Sequence, residues 1–229
     1  MKKLFFMLLL LAAGAYALLQ WKPGLYYGES APFDNFTLHS SEPLQGDAAR
    51  VIVMAKDRLA TSEFNDPSAK FDVYLATGAR DYAFFTPFCK DRNACVNPLN
   101  GHIFIAPADL DKDIIPAASI DETRHFSAVL AGAAARELIR RRMRPLSYLM
   151  LSDWMLRGYS GLIGGTGERM PSEICGKTFA EGSAMRDYEY RLAVEYALSE
   201  ERITFWGLLE RDLALEPLEK QLNQRYCGK

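Results

Sequence analysis

Histidine is scarce in this chain, and no histidine has a partner at the spacing of a metal-binding pair. The three histidines are His39, His102 and His125. The sequence therefore lacks the two histidines four residues apart that bind zinc on one face of a helix. A glycine-rich phosphate loop is also missing, because no lysine follows the glycines at 164–167. We expect no metal and no cofactor.

A strong charge of either sign is absent as well. The formal net charge is -2, without the basic excess of a nucleic-acid-binding protein. Internal repeats and low-complexity tracts are missing, and hydrophobic residues make up 49 % and charged residues 24 % of 229 residues. This is the composition of one globular domain, or at most two small ones, large enough to bury a core without a metal.

Residues 1–21 have the pattern of an export segment. Lys2 and Lys3 precede an apolar run from Leu4 to Leu19 that contains no charge. Small residues at 15 and 17 allow cleavage, whereas Trp21 is typical of an interfacial anchor. We expect either a cleaved signal peptide or a retained signal-anchor. Both place the rest of the chain on the periplasmic side of the inner membrane of a Gram-negative-type bacterium, with the membrane as a partner.

The cysteines fit that compartment. There are four of them, Cys89, Cys95, Cys175 and Cys227, without the Cys-x-x-Cys of a zinc knuckle. An even number in an oxidising compartment predicts two disulfides. Cys89 and Cys95 are close enough to close a small loop, which leaves Cys175 for Cys227. The other two connectivities stay open.

The pattern of apolar residues predicts an α+β domain over residues 48–229, preceded by a linker and lead segment at 22–47. Helical spacing covers 48–61, and strands are expected at 71–77, 82–88 and 102–106. The second half is mostly helical. A capping box at Ser119 and Glu122 opens a helix that runs to about Met143, and another helix follows at 147–159. A glycine-rich loop is expected after it, marked by Gly158, Gly161, Gly164, Gly165 and Gly167.

The stretch from Phe126 to Gly165 resembles the core of minimal gluzincin zinc metallopeptidases, the peptidase-MA-like group. It reads FSAVLAGAAARELIRRRMRPLSYLMLSDWMLRGYSGLIGG. In that group one helix carries His-Glu-x-x-His, and a later helix carries Trp-x-x-Glu-Gly, whose glutamate is the third zinc ligand. The resemblance implies a minimal zincin-like fold with the strand at 102–106 as the edge strand over the cleft. An unrelated pair of amphipathic helices is the alternative.

The four functional positions of this motif hold other residues. Gly132 and Arg136 stand where the two histidines belong, and Ala133 stands at the glutamate between them. Arg157 replaces the third ligand, between Trp154 and Gly158. Glycine and alanine carry no ligand atom, and arginine repels a cation. The resemblance therefore implies a non-catalytic, pseudopeptidase-like protein that binds a peptide or protein along the edge strand.

Several residues allow other interpretations. Arg136 and Arg157, with His125, form a candidate anion-binding cleft, and with Glu137 they suggest an enzyme with non-zinc chemistry. The alternative is that each arginine pairs with an acid such as Glu137, Asp153 or Glu173, as in a purely structural envelope protein. The small residues at 131–135 indicate close packing. The arginines at 140–144 complement a helix dipole, or contact anionic lipid.

Overall fold

A five-stranded mixed sheet forms one layer of the fold. The computed structural model describes residues 2–87, 89, 93–116, 123–165, 169–211 and 213–228. The strands are β1 (Glu29–Phe33), β2 (Phe36–Ser40), β3 (Phe71–Leu75), β4 (Ala94–Val96) and β5 (Ile103–Ile105). Their order is β1-β2-β3-β5-β4, with β2, β3 and β5 parallel and the two outer strands antiparallel to their neighbours. Two short strands, β6 (Ile114–Ile115) and β7 (Arg124–His125), pair separately.

Helices form the remainder of the fold and dominate the second half, as expected for an α+β chain. They are α1 (Lys2–Trp21), α2 (Ala48–Leu59), α3 (Ala79–Phe85), α4 (Phe126–Arg141), α5 (Pro145–Leu149), α6 (Asp153–Gly164), α7 (Ala184–Glu201), α8 (Phe205–Arg211) and α9 (Leu215–Cys227). The central helix α4 packs on the sheet, α2 and α6, while α7 packs on α6 and α9. The capping box expected at Ser119 and Glu122 lies outside the described residues.

The segment 22–47, expected to be a linker and lead segment, belongs to the sheet. It supplies the β1–β2 hairpin, in which β2 alternates buried and half-buried residues. Phe36 and Leu38 are fully buried, and the ring of Phe36 stacks on that of Phe71 at 4.7 Å. The hairpin therefore shares the sheet with β3.

The strand expected at 82–88 is helical over residues 82–85, as the end of α3. Tyr82 and Phe85 of α3 are buried three residues apart, which is a helical rather than an alternating spacing. The ring of Phe85 stacks on Phe104 of β5 at 5.4 Å, so α3 covers the sheet. The aromatic and alanine residues of this stretch fit either conformation, and contact with β5 favours the helix.

The strand expected at 102–106 is present but is not the edge of the sheet. β5 pairs with β3 on one side and with β4 on the other. β4 is the edge strand, because the short turn at 97–102 folds it back antiparallel to β5. The edge expected over the cleft is therefore Ala94–Val96.

The loop expected at the glycines after residue 157 is largely helical. α6 continues through Gly158 and Gly161 to Gly164, and Gly165 ends it with φ +75°. A Cβ atom at Gly158 would collide with the carbonyl of Tyr190, and one at Gly164 with that of Ala128. These glycines allow α6 to approach α7 and α4 closely, so tertiary packing outweighs their low helix propensity. Gly167 lies outside the described residues.

The helix α1 covers the residues expected to direct export. Between Phe5 and Leu11 its apolar side chains are 52–69 % exposed. Its second half contacts the domain, where the Tyr16 ring meets that of Phe84 edge-on at 5.1 Å. Within the described part of the chain, no helix combines the length and the apolarity that crossing a membrane requires.

Both disulfides have the connectivity expected from sequence proximity. Cys89 pairs with Cys95 at a Cα–Cα distance of 5.8 Å, and Cys175 with Cys227 at 5.5 Å. The first disulfide lies beside β4, and the second holds the end of α9 close to the 3-10 turn at Pro171–Ile174. Two disulfides indicate folding in an oxidising, extracellular or periplasmic environment.

Candidate functional site

The helices α4 and α6 carry the four positions at which the resemblance expects zinc chemistry, and they touch through small residues. A Cβ atom added to Gly132 would lie 2.8 Å from the backbone oxygen of Ser160. The Ser160 hydroxyl donates to the Gly132 carbonyl at 3.2 Å. Ala133 is fully buried. Gly132 and Ala133 therefore form part of a tight helix contact, and neither faces an open cleft.

Arg136 reaches the edge strand. Its guanidinium is buried and donates to the carbonyl oxygen of Ala94 at 3.2 Å. The carbonyl of Asn93 and the N–H of Asn97 both bond to the β5 side. In an antiparallel pair, residues alternate between directing their backbone N–H and C=O groups towards the paired strand and away from it. The carbonyl of Ala94 therefore points away from β5. Arg136 thus covers the outward side of β4, where an added strand would have to pair.

Arg157 is enclosed by carboxylates. Its side chain is 4 % exposed and forms ion pairs with Asp187, with Glu181 at 3.2 Å and with Asp153 at 3.6 Å. Its guanidinium also lies over the ring of Tyr190, 5.3 Å from the centroid. Three acids around one guanidinium leave it little attraction for an external anion. The contacts favour the alternative in which Arg157 holds α6 to α7.

The acids around Arg157 belong to a wider cluster of charges. Arg124 also pairs with Asp187, so this carboxylate joins the start of α4 to α6 and α7. The Tyr190 hydroxyl donates to Glu181 at 2.7 Å. That hydrogen bond, with Arg186 and Arg157 nearby, keeps the pKa of Glu181 below its usual value. Burial raises the pKa of Tyr190 to about 12. At neutral pH Glu181 is therefore ionised and Tyr190 is neutral, which fits the hydrogen bond between them.

His125 and Glu137 do not join the two arginines in one cleft. His125 lies at the start of α4 with its side chain 61 % exposed, and its Nδ1 is 3.3 Å from the carbonyl oxygen of Asp113. Arg136 follows eleven residues later, which is about 16 Å along a helix. Glu137 is almost fully buried and accepts hydrogen bonds from Arg140 and Arg141. The arrangement needed for a general base beside Arg136 is not formed.

A cluster that the sequence did not reveal lies on the sheet. His39 of β2 faces Tyr74 of β3, and their rings stack at 4.5 Å. The His39 Nε2 lies 3.2 Å from the carboxylate of Asp72. His102 meets the Tyr74 ring edge-on at 5.1 Å. His39 and Asp72 occupy less buried positions of β2 and β3, but the strand register that brings them together is not readable from the sequence.

The pKa values of this cluster are shifted. The hydrogen bond from His39 lowers the pKa of Asp72, and burial lowers the pKa of His102. Among the described residues, no three or more His, Cys, Asp or Glu side chains are placed to hold a metal ion.

Comparisons with known proteins give no relative. No family model matches the chain, and neither a curated protein nor a solved structure is detectably similar to it.

Replacing Gly132 by alanine is expected to lower the free energy of unfolding by about 1–3 kcal/mol, because the methyl group overpacks the contact with Ser160. The control is Gly207→Ala in α8, where the nearest atoms would be 3.6 Å from the new Cβ. There the higher helix propensity of alanine should raise stability by about 0.5–1 kcal/mol. Urea denaturation of both variants measures the difference. Equal effects would contradict a close contact at Gly132.

Proposed function

We propose that this chain is a non-catalytic, zincin-like domain that acts outside the cytoplasm by binding a peptide or protein. A mixed sheet with an antiparallel edge strand beside the helix α4 supports the zincin-like assignment. So does the crossing of α4 with α6, the helix on which the third ligand would lie. The proposal keeps this scaffold and assigns it no zinc chemistry.

One contact carries the proposal, namely the hydrogen bond from Arg136 to the Ala94 carbonyl. The residue at the second histidine position is used to cover the edge strand. Gly132 and Ala133 are packed against neighbours, and Arg157 is paired with acids. All four positions therefore serve the packing of the domain, which is the arrangement expected of a scaffold that has lost its metal site.

The same contact changes where a partner would bind. Ala94 is fully buried, so a peptide cannot pair along β4 as long as Arg136 stays in place. The strand at the opposite side of the sheet, β1, is largely exposed. Its Pro32 has no N–H, which limits pairing along β1 as well. A partner is therefore bound mainly through side chains. Because the edge at β4 is closed, a purely structural envelope protein is the second candidate function.

The location rests on the disulfides and on α1. Two disulfides fit an oxidising compartment, and the exposed apolar side chains of α1 suit a lipid environment. We place the domain on the periplasmic side of an inner membrane. There α1 acts either as a cleaved signal peptide or as an anchor.

Zinc analysis of the purified, oxidised full chain tests the non-catalytic assignment. We expect far less than one zinc per chain after incubation with excess zinc and gel filtration, because the ligand positions hold Gly132, Arg136 and Arg157. A stoichiometric zinc that survives gel filtration would overturn the assignment. Screening the same protein against a displayed peptide library tests the binding role. Recovery of no saturable ligand would leave the structural candidate.

A further inference from the structure

The turn from α4 into α5 exposes three large apolar side chains. Leu146 is 76 %, Leu149 56 % and Met150 85 % exposed. Tyr148 is the buried residue of α5, and it points towards the region of Arg136 and Glu137. Tyr148 thus packs α5 against the domain, while Leu146, Leu149 and Met150 remain exposed to solvent. Residues 142–150 are called the α4–α5 corner below.

The corner is also cationic. No acidic residue occurs between positions 138 and 152, whereas four arginines occur between 140 and 144. Arg140 and Arg141 are held by Glu137. Arg142 and Arg144 are exposed, and Arg142 lies over the ring of Phe64 at 5.0 Å. In the part of the chain that the structure describes, no carboxylate lies within ion-pair distance of Arg144. Exposed cations beside exposed leucines and a methionine complement an anionic, partly apolar surface.

The turn between β4 and β5 connects the end of α1 with the last turns of α4, which lead into the corner. Asn100, in the turn between β4 and β5, donates to the backbone oxygen of Gln20 at 3.2 Å. Gly101 of the same turn is backed by Glu137 and Arg140, so closely that a Cβ atom would collide with both. Leu99 of this turn is 62 % exposed. The turn therefore contacts both the end of α1 and the arginine-rich end of α4. Its exposed Leu99 adds an apolar side chain to this surface.

We infer that the α4–α5 corner docks on the surface of an anionic lipid bilayer. Arg142 and Arg144 pair with lipid phosphates, and the side chains of Leu146, Leu149 and Met150 enter the interface. Anionic lipid attracts basic side chains at a membrane surface, and apolar side chains add to that binding when they are buried in the interface. This inference depends on the extracytoplasmic location at a membrane, and it does not depend on the lost zinc site.

Docking orients the domain relative to the bilayer. With α1 retained as the anchor, contacts at the end of α1 and at the corner hold the domain at two places, so it cannot rotate freely about α1. The sheet cluster of His39 and Asp72 and the cluster around Arg157 then keep a fixed position with respect to the membrane. A partner in the envelope is thereby presented with one defined face of the domain.

Hydrogen exchange of the full chain in lipid vesicles tests the inference. The chain is reconstituted in vesicles of phosphatidylcholine, and in equimolar phosphatidylcholine and phosphatidylglycerol. We expect amide exchange at 144–151 to be slower in the anionic vesicles by roughly tenfold, since each basic residue near such a surface contributes about fivefold to binding. The difference should disappear at high salt.

Matched variants separate charge from apolar contact. Arg144→Glu and Met150→Ser should each lose most of the protection, because both side chains are exposed and their loss leaves the fold intact. Lys177→Glu and Met170→Ser change equally exposed residues elsewhere and should keep it. Equal exchange in the two kinds of vesicle would overturn the inference. So would protection that follows protein concentration instead of lipid charge, which indicates a second copy. Zinc content decides the non-catalytic assignment separately.

Discussion

Replacing Arg157 by alanine is expected to lower the free energy of unfolding by about 3–5 kcal/mol, because it removes one partner of a buried ion cluster. The Arg157 side chain is 4 % exposed and contacts the carboxylates of Asp187, Glu181 and Asp153. Without it, Asp187, whose side chain is 13 % exposed, keeps Arg124 but loses the cation of α6. Urea denaturation followed by circular dichroism, with the disulfides intact, measures the loss.

The matched control is Arg211→Ala. Arg211 pairs with Glu201, and both side chains are roughly half exposed. Such pairs contribute at most about 1 kcal/mol, so the two alanine variants should differ clearly. A small loss at Arg157, or a gain in stability, would contradict a structural role. Residues kept for function often cost stability, and that outcome would revive the anion-binding hypothesis for Arg157.

Acid should weaken the same cluster. Because the pKa of Glu181 is lower in the folded state, its contribution is present above the pKa of the unfolded chain. The contribution is lost as the pH falls through the folded value. Glu181 is largely exposed, so solvent screens this effect. The loss in Arg157→Ala should accordingly shrink slightly as the pH falls through the folded pKa of Glu181 and this carboxylate becomes neutral.

The elements that sequence predicts well are those whose apolar spacing alone decides the structure. The helix expected at 48–61 appears as α2, with Val51, Ala55 and Leu59 buried on one side. The strand expected at 71–77 appears as β3. The Cys89–Cys95 disulfide also follows from proximity along the chain, and the Cys175–Cys227 disulfide is the pairing that then remains. Apart from that second disulfide, the necessary information is local, or nearly so.

The elements that sequence misses depend on contacts between distant parts of the chain. Gly158 and Gly164 are helical because the backbones of Tyr190 and Ala128 lie against them. β4 is the edge of the sheet because β5 is inserted between it and β3. Neither the helical state of these glycines nor the order of the strands can be predicted from glycine spacing or from the apolar pattern of a strand. A loop at the glycines and an edge strand at 102–106 were therefore reasonable predictions with the wrong outcome.

The candidate site divides in the same way. Given the resemblance, residue identity alone predicts that the three ligand positions 132, 136 and 157 and the glutamate position 133 hold none of the motif's residues. The partners of the arginines are not readable, because Ala94 is 42 residues from Arg136 and Asp187 is 30 residues from Arg157. The grouping of His39 with Asp72 likewise depends on strand register. Sequence therefore identifies what is missing from the site more readily than what fills it.

Removing the Cys175–Cys227 disulfide should produce a loss comparable to that of Arg157→Ala. The two cysteines are 52 residues apart, and the entropy of closing such a loop corresponds to about 4 kcal/mol. The double variant Cys175→Ala/Cys227→Ala removes this constraint on the unfolded chain. Calorimetry or urea denaturation of the variant measures the change.

The effect should be concentrated in α9. This helix buries only Leu218 and Leu222, and Glu219 pairs with Arg186 of α7, so the disulfide is a large part of what holds it. Amides of α9 should lose protection from hydrogen exchange before those of α7. The control variant Cys89→Ala/Cys95→Ala opens a loop of only six residues in separation, which corresponds to about 2 kcal/mol. Equal losses in the two variants, or unchanged protection of α9, would show that packing alone docks this helix.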